Sequence, residues 1–214
     1  MLNLDKNSKT HKVFNLIILD ESGSMNSIKN TIISGFNEVV QTVKGVAKEY
    51  PEQEHFITFV TFNSLKTNTL LENEKVEKLR EITKKDYNPT AGTPLFDAMG
   101  DSISQLRKIT QTHSDYNVLV TILTDGEENS SKEYNGATIK KMVEELKSEN
   151  WTFTYIGANH DVEKFAASIS INNTMKFEAN DKDIKKMFSK EKASRMRYSK
   201  KIRNNEDTNK GFYE

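Results

Sequence analysis

Residues 13–25 read VFNLIILDESGSM, an apolar run that stops on a carboxylate and passes directly into closely spaced hydroxyls. Val13, Phe14, Leu16, Ile17, Ile18 and Leu19 make a run too short for a helix and too unbroken for a half-exposed strand. That pattern suits a central parallel strand covered on both faces. Asp20, Ser22 and Ser24 then fall at alternate positions of a glycine-containing turn, where an extended backbone lets their side chains converge on one point. All are hard oxygen ligands, which suit Mg²⁺ or Mn²⁺ better than zinc or copper. A strand end followed by an Asp/Ser helix cap would give the same letters, so the reading depends on what the rest of the chain adds.

At 214 residues the chain has room for one large domain, or for one domain with an appendage. A core of that size buries roughly 70% of the surface an unfolded chain exposes, without staples. Cysteine is absent, which excludes disulfides, thiolate metal sites and cysteine nucleophiles and fits a reducing compartment. Lys+Arg and Asp+Glu both total 31, so nothing global points to nucleic acid or an acidic membrane surface. The opening segment MLNLDKNSKTHK is polar, with no small-residue cleavage pattern behind it, unlike a signal peptide. No stretch approaches the ~20 apolar residues needed to cross a bilayer, so the expected location is the cytoplasm.

After the hydroxyl turn, Ile32, Phe36, Val39, Val40, Val43 and Ala47 recur at helical spacing, predicting a helix over 28–50 capped at Asn26 or Ser27. HFITFVTF, residues 55–62, reads as a second buried strand, and residues 65–71 as its antiparallel hairpin partner at the sheet edge. Residues 72–87 are charged with sparse anchors at Val76, Leu79 and Ile82, compatible with a short helix or with a strand and loop. Thr93-Pro94 marks a helix start, Thr93 as cap and Pro94 at the first position, with Asp97 near the positive end and the helix running to about Gln111.

The next strand, YNVLVTILT over 116–124, again ends on an acid, Asp125. Two apolar strands separated by helical crossovers, each delivering an aspartate at its C-terminal end, put both carboxylates on the edge where parallel α/β sheets bind ligands. A helix over 137–146, a strand over 151–156, a helix over 162–169, an edge strand over 174–177 and a helix over 181–197 complete a doubly wound α/β pattern. The expected organisation is a polar segment 1–12, a domain 13–197 and a polar, partly basic tail 198–214. The basic tract over 190–203 reads as a solvated helix face with a frayed end.

Taken together, Asp20-Glu21-Ser22-Gly23-Ser24, Thr93 within AGTPLFDAM, and Asp125 within ILTDGEEN resemble the metal-ion-dependent adhesion site of von Willebrand factor A domains, in order and in structural context. The likeness runs from about Val13 to Phe177 and among relatives is nearest to compact intracellular prokaryotic forms. It implies a Rossmann-like, mostly parallel six-stranded sheet in the order 3-2-1-4-5-6 with strand 3 antiparallel, and Mg²⁺ on its top edge, with Mn²⁺ or Ca²⁺ as alternatives. Asp20, Ser22, Ser24, Thr93 and Asp125 are the implied metal residues. Hydroxyls of Ser22 and Ser24 would bind directly, Asp20 and Asp125 directly or through water, and Thr93 as an exchangeable ligand. The implied function is non-enzymatic: a protein-binding module whose cation takes an Asp or Glu from a partner protein, with no nucleic acid and no membrane involved and the oligomeric state open. The family also couples ligand exchange at the metal to movement of its last helix, here 181–197.

A competing reading is a haloacid dehalogenase-like phosphohydrolase with Asp20 as nucleophile. Those enzymes mostly place a second aspartate two residues later as general acid, and this chain has Ser22, which cannot donate and recover a proton near neutral pH. His11, His55, His113 and His160 lack the close pair spacing of a zinc site and read as ordinary surface or loop residues. Asn159-His160-Asp161 follows a strand and could border the ligand face, and Glu21, Asp97, Glu127 and Glu128 could tune its charge.

Overall fold

Strand β1 (His11–Asp20) takes the middle of the sheet because both its faces are apolar: every residue from Val13 to Asp20 is 5% exposed or less. The computed structural model describes residues 10–214; of the expected polar segment 1–12, residues 1–9 lie outside the described residues. β2 (Gln53–Asn63) and β4 (Tyr116–Thr124) flank β1 in parallel, Ile17 facing Phe59 on one side and Thr121 on the other. β3 (Lys66–Lys75) pairs antiparallel with β2, while β5 (Trp151–Gly157) and β6 (Asn173–Lys176) extend the sheet in parallel beyond β4. The order is β3-β2-β1-β4-β5-β6, as expected.

Alternation along β1 divides the interior. Val13, Ile17 and Leu19 pack under α1 (Lys29–Glu49) and α5 (Asp181–Arg203). Phe14, Leu16 and Ile18 pack on the other face under α2 (Leu95–Thr110), α3 (Gly136–Lys147) and α4 (Val162–Ser168). α1 and α5 approach closely at Gly35, where the ring of Phe188 occupies the space a side chain would need.

Three local expectations change. The residues after the hydroxyl turn form a 3₁₀ helix, Gly23–Ile28, and α1 begins at Lys29 with no side-chain cap, so neither Asn26 nor Ser27 caps it. α2 begins at Leu95 and Thr93 does not cap it; its first amides are taken from outside, Phe96 N–H donating to Glu128 and Asp97 N–H to Ser131. Residues 76–93 hold only a short 3₁₀ turn, Val76–Lys78, with Val76, Leu79, Ile82 and Tyr87 buried as anchors and Asn37 of α1 bonding both the N–H and the C=O of Ile82.

The expected tail, 198–214, begins inside α5. Tyr198 and Ile202 continue the buried stripe past 197, and Thr208, Phe212 and Tyr213 are buried as well. Beneath α5 lies a buried polar network. Arg195 donates to Glu191 at 2.8 Å, to Asn15 of β1 at 3.1 Å and to Thr121 of β4 at 2.7 Å, while the Tyr213 hydroxyl donates to Glu191 at 2.8 Å. One guanidinium therefore fixes the helix to two strands of the sheet.

Candidate metal centre

β1 and β4 end side by side, Leu19 opposite Leu123, so Asp20 and Asp125 leave the sheet at the same edge. Asp20 is fully buried, and its two carboxylate oxygens are already engaged. One accepts the Ser22 backbone N–H at 2.6 Å and the other the Thr124 hydroxyl at 2.6 Å. The Ser22 and Ser24 hydroxyls are 3.1 Å apart, and Ser24 donates to Asp125 at 2.6 Å. Thr93 completes the group: a methyl group at Gly126 would stand 3.5 Å from Thr93 Oγ1 and 3.7 Å from Ser24 Oγ, so both hydroxyls face the same small space. Side chains from three separated loops thus meet where the sequence places them.

The loops are fixed by their own bonds. The Thr93 amide donates to Asn129 Oδ1 at 2.9 Å, and the Asn129 amide returns to the Thr93 carbonyl at 3.1 Å. Gly23 N–H reaches the Ala91 carbonyl at 3.0 Å, joining the hydroxyl turn to a loop in which Ala91 holds a left-handed backbone, φ 62°. The Tyr87 hydroxyl donates to the Asp20 carbonyl at 2.6 Å.

Electrostatically the pair of acids is under strain. Burial above all pushes Asp20 up to about 6, against the lowering effect of its bonds to Thr124 and Ser22, and the neighbouring Asp125 adds a smaller push upward. Asp125 is also raised, chiefly by burial. Among the described residues no salt bridge reaches either carboxylate. Two desolvated acids without a cationic side chain fit a small hard cation by charge, and the surrounding hydroxyls fit it by ligand type. Among those residues no three His, Cys, Asp or Glu side chains are placed to hold a metal, so any ion here would depend on serine and threonine oxygens besides the two aspartates.

Glu21 has a different part from the charge tuning expected of it. It is 2% exposed, accepts the Thr61 hydroxyl at 2.9 Å and the Asn88 amide at 2.5 Å, and so bolts the hydroxyl turn to β2 and to the loop before α2. Glu128 takes the amides of Phe96, Ser130 and Ser131, and Asp97 takes those of Lys132, Glu133 and Tyr134, each shaping the loop beyond Asp125. Sequence reasoning missed Thr124, Tyr87 and Asn129 as supports. Only Thr124 carried a signal, as the last strand residue beside Asp125.

His160 does border this edge, bonded to the Ala158 carbonyl and 3.1 Å from the Tyr155 hydroxyl, while Asp161 caps α4. His55 is not a surface or loop residue: it sits in β2, 4% exposed, with neither ring nitrogen bonded. His11 lies in β1 and bonds Asp115 and Asn117 at the opposite edge of the sheet. The phosphohydrolase reading finds no support, since the side chain two residues after Asp20 is the Ser22 hydroxyl, 3.1 Å from that of Ser24, and not a carboxyl that could serve as general acid.

The fold is similar to that of proximal thread matrix protein 1 from the mussel byssus, at 13% identity and a TM-score of 0.56 over 84% of this chain and 45% of that one. The chain therefore spans less than half the length of that relative. It is also similar to the VWA domain of SpRpn10, at 11% identity and a TM-score of 0.51 over 83% of this chain and 93% of that one. No curated protein matches it. The family model for the von Willebrand factor type A domain matches residues 16–200, from within β1 to within α5, and the chain belongs to that family.

Proposed function

We propose that the chain is a protein-binding module in which Asp20, Ser22, Ser24, Thr93 and Asp125 hold a divalent cation, Mg²⁺, whose coordination an Asp or Glu of a partner protein completes. Domains of this family are generally protein-interaction modules. The observation that carries the reading is the meeting of these side chains: Ser24 bonds Asp125, Ser22 lies beside Ser24, and Thr93 faces the same space. When bound, such a cation supplies positive charge and a ligand position that a carboxylate can take.

The chain's own residues set the terms. Asp20 and Asp125 bring at most two negative charges, and the hydroxyls bring none, so a doubly charged ion held here would not be over-neutralised and could still accept a carboxylate in place of a water. Thr124 and the Ser22 amide hold the Asp20 carboxylate in one orientation, and Glu21 fixes the turn behind it. No helix among the described residues is long and apolar enough to cross a membrane. The absence of cysteine is compatible with work in the cytoplasm, in keeping with the compact prokaryotic forms the sequence resembles.

Melting curves test the reading. Mg²⁺ at about 100 times its Kd stabilises by about 2.7 kcal/mol, a rise of roughly 5–10 °C for a chain of this size. Asp20→Ala and Asp125→Ala should each remove most of that rise. Equal curves in Mg²⁺ and in chelator would count decisively against the site, and partner capture that persists in EDTA would take the metal out of the interaction.

A further inference from the structure

Among the described residues one large hydrophobic side chain stands exposed, Leu65, at 74%. A lone exposed leucine is ordinary on a protein surface; its position and its rigidity distinguish this one. It lies in the turn between β2 and β3, at the sheet edge that carries the candidate metal centre. The turn is fixed from beneath: Asn63 Oδ1 accepts the amides of Leu65 at 2.9 Å and Lys66 at 3.2 Å. Ser64 in turn bonds Gly92 twice, its N–H to the Gly92 carbonyl at 3.0 Å and its hydroxyl from the Gly92 amide at 3.0 Å. Gly92 immediately precedes Thr93.

Two Cα steps of about 3.8 Å and one hydrogen-bonded link keep the Leu65 and Thr93 Cα atoms within about 15 Å of each other. A protein interface of ordinary size covers about 800 Å² per partner, a disc of roughly 16 Å radius. The edge of a partner of that size centred on the metal therefore falls at the β2–β3 turn that carries Leu65.

We propose that Leu65 forms an apolar subsite of the metal-centred surface, so that the partner segment carrying the acid also carries an aliphatic or aromatic residue close to it. The inference rests on the metal-dependent reading above. An extended segment advances about 3.3 Å per residue, so the apolar residue falls within four or five positions of the acid. Polar surroundings sharpen the preference: Ser64, Asn129 and Ser130 crowd around Gly92, and among the described residues Leu65 is the large apolar side chain that stands exposed.

The test is selection of displayed random peptides of about twelve residues with a fixed central Asp or Glu, which reach the subsite from either side, on the purified chain in Mg²⁺ and in EDTA. With the wild-type chain, peptides retained in Mg²⁺ should be enriched in Leu, Ile, Met or Phe within five positions of the acid. Leu65→Ser, at an exposed turn position, should still require Mg²⁺ and the acid but lose that enrichment, and should bind the wild-type winners about tenfold more weakly. Unchanged enrichment with Leu65→Ser, or Mg²⁺-dependent retention with no apolar preference, overturns the subsite alone. Failure of the wild-type chain to retain any peptide in a manner sensitive to both EDTA and Asp125→Ala overturns the metal reading and the subsite with it.

Discussion

Replacing Gly35 by alanine sets two opposed effects against each other within the α1–α5 contact. The added Cβ would stand 1.9 Å from both Cδ2 and Cε2 of Phe188 and 2.6 Å from its Cγ, where ordinary contact is 3.4–4 Å. Relief requires the ring, or the helix carrying it, to retreat by about 1.5 Å, and Phe188 belongs to the buried cluster that α1 and α5 share with the sheet. Overpacking of this kind costs about 1–3 kcal/mol, and overlap with two ring atoms belongs at the upper end. Alanine recovers about 1 kcal/mol of helix propensity. The net expectation is a loss of about 2 kcal/mol, read as a lower urea midpoint at unchanged slope and a melting temperature lower by roughly 4–8 °C. In a Phe188→Leu background, with the ring gone, Gly35→Ala should be neutral or stabilising. A neutral or stabilising effect in the wild-type background would refute the close approach of the two helices.

Two further expectations concern the groups beneath α5. Arg195→Ala leaves Glu191 buried without its cationic partner and deprives Asn15 and Thr121 of their donor, which should cost about 3–5 kcal/mol by chemical denaturation; a loss under about 1 kcal/mol would show that the network carries little. Burial first, and then the Arg195 charge, lower His55 from 6.5 to about 4. Because the folded-state value is depressed, its contribution is fully present above about pH 6.5 and disappears as pH falls toward 4, about 3 kcal/mol in all. His55→Leu should flatten the stability profile across that window, and parallel profiles for the two proteins would refute the assignment.

The sheet was legible because β1, β2 and β4 are buried on both faces and so read as nearly continuous apolar runs, with acids at the ends of β1 and β4 marking one edge. The meeting of the candidate residues at one edge was legible for the same reason: Asp20 and Asp125 each stop a run, and the hydroxyls follow in fixed order. What stayed hidden depends on partners distant in sequence. Residues 79–87 take their shape from Asn37, and from Asp86 bonding Arg80 and Thr83, which no local periodicity reports. Arg195 and Glu191 look like one more solvated pair in a basic helix, because an i,i+4 spacing is the same whether it faces water or Thr121. His55 was misplaced because a polar letter in HFITFVTF does not say whether it finds a partner. Glu21 reads only as a residue that could tune the charge of the edge, because nothing nearby in the chain announces Thr61 or the Asn88 amide.

The central place of β1 also shapes how the chain is made. Its neighbour on one side is complete by Asn63, but the other, Tyr116–Thr124, is translated long after Asp20, an interval on the order of 5–20 s at roughly 5–20 residues per second. Throughout that interval VFNLIILD offers one unsatisfied backbone edge and a greasy flank to whatever stands near the ribosome. Nascent chains halted before residues 116–124 have cleared the ribosome should therefore be the ones that recruit holding chaperones, and those in which that strand has emerged should let them go.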